Sequence, residues 1–272
     1  MAQKKKFIIG NWKMNPESTR LATGIFKSIQ KGTADLSKIH TVICPPYVYL
    51  EALARLQTST KGTQKKQKGK KKVAAQPEPV VLGAQNLNPE PLGARTGEIS
   101  GEFLKQFNVK YVIIGHSERR DLGETDAVVN TKILAALGWK FKTILCIGEK
   151  VRDDDGHYFA FIKNQLEQAL MGVKKEQLSS LVIAYEPVWT IGATAAMTPP
   201  LVHEMTIFIR KTLFDMYKTR TLSTPILYGG SVDPSNAQEI LQQGSADGLL
   251  IGRQSLDPAG FVSIATIANT LS

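Results

Sequence analysis

Cysteine is scarce in this chain. The two present, Cys44 and Cys146, each lie inside an apolar run (TVICPP and TILCIGE). That excludes a disulfide framework and reads as reduced thiols in a cytosolic setting. No apolar run approaches the ~20 residues of a membrane helix. The opening MAQKKKFIIG has too short an apolar part for a signal peptide. The four histidines are scattered, with no HxxxH or CxxC spacing, so no metal is implied. No GxGxxG follows a strand-like run, so no dinucleotide is implied either. These absences lead to the expectation of a cytoplasmic protein without a cofactor or a membrane partner.

Acidic residues are missing from one place in particular. Of a net charge of +10, seven lysines fall within residues 61–72 (KGTQKKQKGKKK), and no acid lies among them. Without them the rest of the chain carries about +3, an ordinary balance. The tract is expected to form a disordered surface insertion at about residues 58–78, because it has too little apolar surface to fold. It has no aromatic to stack on bases, so nucleic acid is an unfavoured partner, reachable through this tract alone.

What is abundant is the short β-branched run. FIIGN, TVICPP, VVLGAQN, YVIIGH, TILCIGE, LVIAYEP, PILYGG and GLLIGR recur along 272 residues, each closed by a Gly, Pro or polar residue. The runs are continuous rather than alternating, as in parallel strands buried on both faces. Between them lie helix-spaced segments such as DAVVNTKILAALGW and VHEMTIFIRKTLFDMY. Pro200 and Ser235 are read as helix-start signals. Eight strand–helix units predict an α/β fold: a single-domain (β/α)8 barrel over residues 1–272.

Such barrels place their active sites at the carboxyl ends of the strands. The polar residues closing the runs should therefore converge: Asn11, Lys13, Gln85, Asn86, His116, Glu149, Glu186, Ser231, Gly252 and Arg253. The turns after the seventh and eighth strands, LYGGSV and LLIGRQS, lie where barrels commonly bind phosphate. Lys13, expected in a packed surround of Trp12 and Met14, can balance phosphate charge and polarise an oxygen. His116 sits where a strand runs into a helical turn, whose positive end favours an uncharged imidazole acting as a hydrogen-bond donor. Glu186, among apolar neighbours, is placed as a base. Together these groups fit proton abstraction next to a carbonyl in a small sugar phosphate.

The motifs GNWKMN (10–15), AQN…GARTGEIS (84–100), YVIIGHSERR (111–120), ILCIGE (144–149), AYEPVW (184–189) and YGGSV (228–232) resemble those of the triosephosphate isomerase family, in the family's order. The resemblance implies interconversion of dihydroxyacetone phosphate and glyceraldehyde 3-phosphate through an enediol, in glycolysis and gluconeogenesis. It implies that Asn11 and Lys13 contact substrate, that His116 is the electrophile and that Glu186 is the base. Glu118 would stand near Lys13, and Gly192, Ser231, Gly252 and Arg253 would offer amides to phosphate. It also implies a homodimer whose third loop, residues 85–98, carries Thr96 at its tip toward the other subunit.

The chain departs from the family pattern at several points. Arg95 stands where the family usually has Phe, which puts a charge in the expected dimer loop. Gly252-Arg253 replaces a pair of glycines, and Arg would be strained if that position needed positive φ. In the lid, Thr194 and Ala195 replace the family's second glycine and its lysine. An active enzyme with altered lid kinetics is expected. Two alternatives stand beside it: a barrel acting as a scaffold through its lysine tract, and an isomerase of a different sugar phosphate.

Overall fold

The continuous apolar runs fold as strands with two buried faces. The computed structural model describes residues 5–63, 80–190, 196–219 and 224–272. Eight strands, β1 (Lys6–Asn11), β2 (Ile39–Cys44), β3 (Val81–Ala84), β4 (Tyr111–Ile114), β5 (Lys142–Ile147), β6 (Leu181–Tyr185), β7 (Ile226–Tyr228) and β8 (Gly248–Ile251), close into a barrel in sequence order. All pairings are parallel, and Ile9 of β1 pairs with Val42 of β2 on one side and Leu250 of β8 on the other.

Each run splits its side chains by the period of two that a strand imposes. Phe7 and Ile9, Val42 and Cys44, Tyr111 and Ile113, Ile144 and Cys146 form one cluster made of strand residues alone, the barrel interior. Their neighbours Ile8, Ile43, Val112 and Leu145 belong to a second cluster shared with the helices. That outer layer comprises α1 (Thr19–Gly32), α2 (Tyr47–Thr63), α3 (Gly101–Gln106), α4 (Ser117–Asp121), α5 (Asp126–Gly138), α6 (His157–Ala169), α7 (Pro199–Tyr217), α8 (Ala237–Gln242) and α9 (Pro258–Thr270).

Local signals set where the helices start. Ser18 caps α1 by accepting a hydrogen bond from Leu21 N, and Asp257 caps α9 through Ala259 N and Gly260 N. Pro199 and Pro200 open α7, where a missing N–H costs nothing. Ser235 does not cap α8 as expected. Its hydroxyl and amide both bind Asp233 Oδ1, and the helix begins at Ala237 after Asn236. An Asx turn has taken the serine that helix-start reasoning assigned to a cap. Helix α2 extends to Thr63, into the segment read as insertion. The remainder of the lysine tract lies outside the described residues.

Candidate active site

The carboxyl ends of the strands surround a cavity of about 440 Å3 that Asn11, Lys13, His116, Glu186, Ser231 and Gly252 all line. Residues far apart in sequence are thus brought together by barrel closure, whereas Gln85, Asn86 and Glu149, also expected on the rim, do not line the cavity.

Lys13 follows β1 in a left-handed backbone conformation, φ 54°. Such a conformation is uncommon outside glycine and must be held by its surroundings. It is held on both sides. Lys13 N donates to Asn11 Oδ1 at 3.0 Å, and Lys13 O accepts from Gln85 Nε2 at 2.8 Å. Gln85 also donates to Cys44 O, which ties the residue after β3 to the end of β2. The Lys13 ammonium pairs with Glu118 at 2.5 Å. The expected packed surround is half realised: Trp12 is fully buried, whereas Met14 is 95% exposed. The left-handed backbone of Lys13 turns the chain between the two residues, so Met14 does not share the burial of Trp12.

His116 caps α4, its Nδ1 accepting a hydrogen bond from Glu118 N at 3.2 Å. A nitrogen that accepts carries no proton, so the ring's proton resides on Nε2. That nitrogen lies 3.3 Å from Glu186 Oε1. Glu186 is 2% exposed. Its backbone is anchored by Glu186 N donating to Ile147 O at 2.7 Å, and its Oε2 accepts a long hydrogen bond from Ser117 N at 3.4 Å. Gly148 permits this approach, because a Cβ there would stand 1.7 Å from Glu186 O. Gly229 serves the side chain in the same way, where a Cβ would meet Glu186 Cγ at 2.8 Å.

One side of the cavity is formed by the turns after β7 and β8. Arg253 is exposed and begins a 3-10 turn, Arg253–Leu256, without positive φ, so the condition for strain at this position is not met. The turn is fastened to β1 by buried Ser255, whose carbonyl accepts from Trp12 Nε1 at 3.2 Å and whose hydroxyl donates to Gly252 O at 2.6 Å. Sequence reasoning missed Ser255; a serine in a polar turn carries no distinguishing signal.

Glu149, read from sequence only as a rim residue, is buried beside the segment that follows Glu186. Its Oε1 accepts from Tyr185 OH at 2.8 Å and Trp189 Nε1 at 3.0 Å, with Arg152 Nη1 at 3.4 Å. Arg152 also pairs with Glu204 of α7 at 2.7 Å and lies over the Tyr158 ring. Arg152 in VRDDD reads as a surface charge, and sequence gave no hint of this position. Of the lid, Gly192, Thr194 and Ala195 fall outside the described residues. Met197 beyond them is buried, and its N donates to Tyr228 OH at 3.1 Å.

Thr96 lies apart from the cavity. Residues 90–98 are all exposed, and Arg95 pairs with Glu90 at 2.6 Å within the chain.

Comparison with known proteins points to one family. A family model described as triosephosphate isomerase matches residues 6–268. The chain is 40% identical over 260 residues to triosephosphate isomerase of Chloroflexus aurantiacus, covering 94% of this chain and 96% of that one. It is 38% identical over 265 residues to the protein of that name from Moorella thermoacetica, with 96% and 98% covered. A crystal structure of triosephosphate isomerase from Bartonella henselae superposes with a TM-score of 0.80 at 31% identity, covering 97% of this chain and 98% of that one.

Proposed function

The chain belongs to the triosephosphate isomerase family, and from that premise we propose how its own residues interconvert dihydroxyacetone phosphate and glyceraldehyde 3-phosphate. The observation that carries the reading is the meeting of Lys13, His116 and Glu186 in one cavity at the carboxyl rim. Glu186 removes a proton from the carbon next to the carbonyl and returns it to the neighbouring carbon. His116 donates from Nε2 to the oxygen that gains charge as the enediol forms. Lys13 and Asn11 hold the substrate, and Lys13 balances its negative charge. Backbone amides of Ser231, Gly252 and Arg253 hold the phosphate, with Gly192 contributing from the lid. An enediol phosphate exposed to water loses its phosphate, so the site has to exclude solvent during the reaction. Glu118 competes with the substrate for Lys13, to which it is paired in the free protein.

The residues of this chain require no cofactor for such a proton transfer. We further propose a homodimer, with loop 85–98, Thr96 at its tip and the exposed Met14 as contact surfaces. We place it in the cytoplasm, in glycolysis and gluconeogenesis. Among the described residues no helix is long and apolar enough to cross a membrane. No observation favours the scaffold reading. A coupled isomerase assay on the purified protein beside Glu186→Gln tests the assignment, and an inactive parent would overturn it.

A further inference from the structure

A second cavity, of about 290 Å3, also borders Glu186. Its mouth carries the exposed residues Phe161 and Lys150, and its floor the buried residues Ser117 and Gln165, with Ile147 and Val188 in its apolar wall. None of these residues except Glu186 lines the substrate cavity.

The chemistry of the lining narrows what could occupy it. The charged groups at its edge are already matched: Arg120 with Asp126 at 2.6 Å, and Lys150 with Asp121 at 2.5 Å. A charged ligand would have to displace an existing partner, so a neutral one is favoured. Gln165 is 3% exposed, and its Oε1 is committed to Gly148 N at 2.9 Å. Its Nε2 has no acceptor among the described residues, and neither does the hydroxyl of buried Ser117. Neither atom is sealed from solvent, so each can donate to an oxygen placed in the cavity. The wall and the Phe161 ring call for an apolar body.

We propose that this cavity binds a small neutral molecule with an apolar body and one hydroxyl or carbonyl oxygen, and that occupancy slows turnover without competing with the triose phosphate. The slowing rests on the assignment of Glu186 as base. The occupant packs against Ser117, whose N meets Glu186 Oε2, and against Val188, two residues beyond the carboxylate. It therefore restrains the base from behind while the substrate cavity stays open. Water can satisfy Gln165 and Ser117 but gains nothing from the apolar wall, so an apolar body displaces it favourably.

Benzyl alcohol and cyclohexanol, titrated separately into the full-length protein, test this. Methyl resonances of Ile147 and Val188 should shift saturably, and kcat should fall several-fold with KM for glyceraldehyde 3-phosphate unchanged. Phe161→Ala should weaken binding by about tenfold, as loss of one aromatic contact does, with the ligand-free kcat unchanged. Gln165→Met, of similar volume, should also weaken it. A rise in KM at constant kcat places the molecule in the substrate cavity and overturns the proposal. So does the absence of saturable shifts, which leaves water as the occupant, or binding indifferent to both substitutions. Binding that leaves kcat unchanged while Glu186→Gln is inactive also overturns it. If Glu186→Gln remains active, the base assignment fails by itself, and the shifts still decide the cavity.

Discussion

His116 Nε2 lies 3.3 Å from Glu186 Oε1, while His116 Nδ1 accepts a hydrogen bond from Glu118 N at 3.2 Å. The helix that begins after His116 fixes which ring nitrogen bears the proton, and barrel closure brings that nitrogen to the carboxylate. An arriving carbonyl oxygen can take the Nε2 proton's hydrogen bond in place of Glu186. In the proposed reaction the carboxylate is then free to turn toward carbon.

Two substitutions by glutamine probe these roles. Glu186→Gln should lower kcat by ~10³-fold or more, and His116→Gln by ~10²–10⁴-fold, the range for general acid–base groups. A coupled assay measures both. Equal KM with reduced kcat is the expected pattern for groups that act mainly in the transition state.

Glu149 holds Trp189 and Tyr185 on a single oxygen. Glu149→Ala leaves two donors without their acceptor, at a cost of about 1–3 kcal/mol for each that stays buried. A lower urea midpoint and a changed Trp189 fluorescence should follow. Unchanged fluorescence would show that Glu149 does not position Trp189.

Alkaline pH should weaken the fold. Burial pushes the Cys44 thiol well up. Burial raises Cys146 too, reinforced by the charge of Glu186 and a hydrogen bond to it. In the unfolded chain both ionise from about pH 8.5, but in the folded chain they stay protonated. A raised folded value means this stability is whole below that pH and is lost as pH rises above it. Urea midpoints should fall between pH 8 and pH 10, and native alkylation at pH 9 should be far slower than in urea.

Lys132 and Arg119 both meet Glu124 Oε1 at 2.6 Å. Burial pushes the Glu124 carboxyl up, but the hydrogen bonds and charges of the two cations outweigh it and leave it below the usual range. Its stabilisation is therefore present at neutral pH and lost as pH falls through the carboxylate range. Lys132→Met leaves Arg119 as the carboxylate's one remaining cation of the two, and should cost about 1–3 kcal/mol, the range for a lost hydrogen bond to a charged group. Adding Glu124→Gln should recover part of that in the same thermal or urea assay.

The lid substitutions give a kinetic prediction. Restoring Thr194→Gly and Ala195→Lys together should change turnover and the yield of methylglyoxal, the elimination product. If neither differs from the parent, those two positions do not set how the site excludes water.

Much of the fold was legible in the sequence because barrel strands are buried on both faces. Eight continuous apolar runs ending in polar residues announce both the strands and the rim where chemistry gathers. Helix starts were less legible: Pro200 was read correctly, but Ser235 was not, since a serine serves a turn or a cap with equal ease. Trp12 and Met14 show the same limit. Alike in character and only two positions apart, one is fully buried and the other 95% exposed.

The sequence by itself determined the strand count, the carboxylate, imidazole and ammonium, and the order in which they follow their strands, because these depend on local pattern and residue chemistry. The tertiary structure alone decided which face of each run lines the barrel and which nitrogen of His116 bears the proton. It also decided that Ser255 fastens the last turn to the first strand and that Arg152 joins Glu149 to Glu204. Each of these depends on contacts between segments distant in sequence, and no local pattern encodes such a distance.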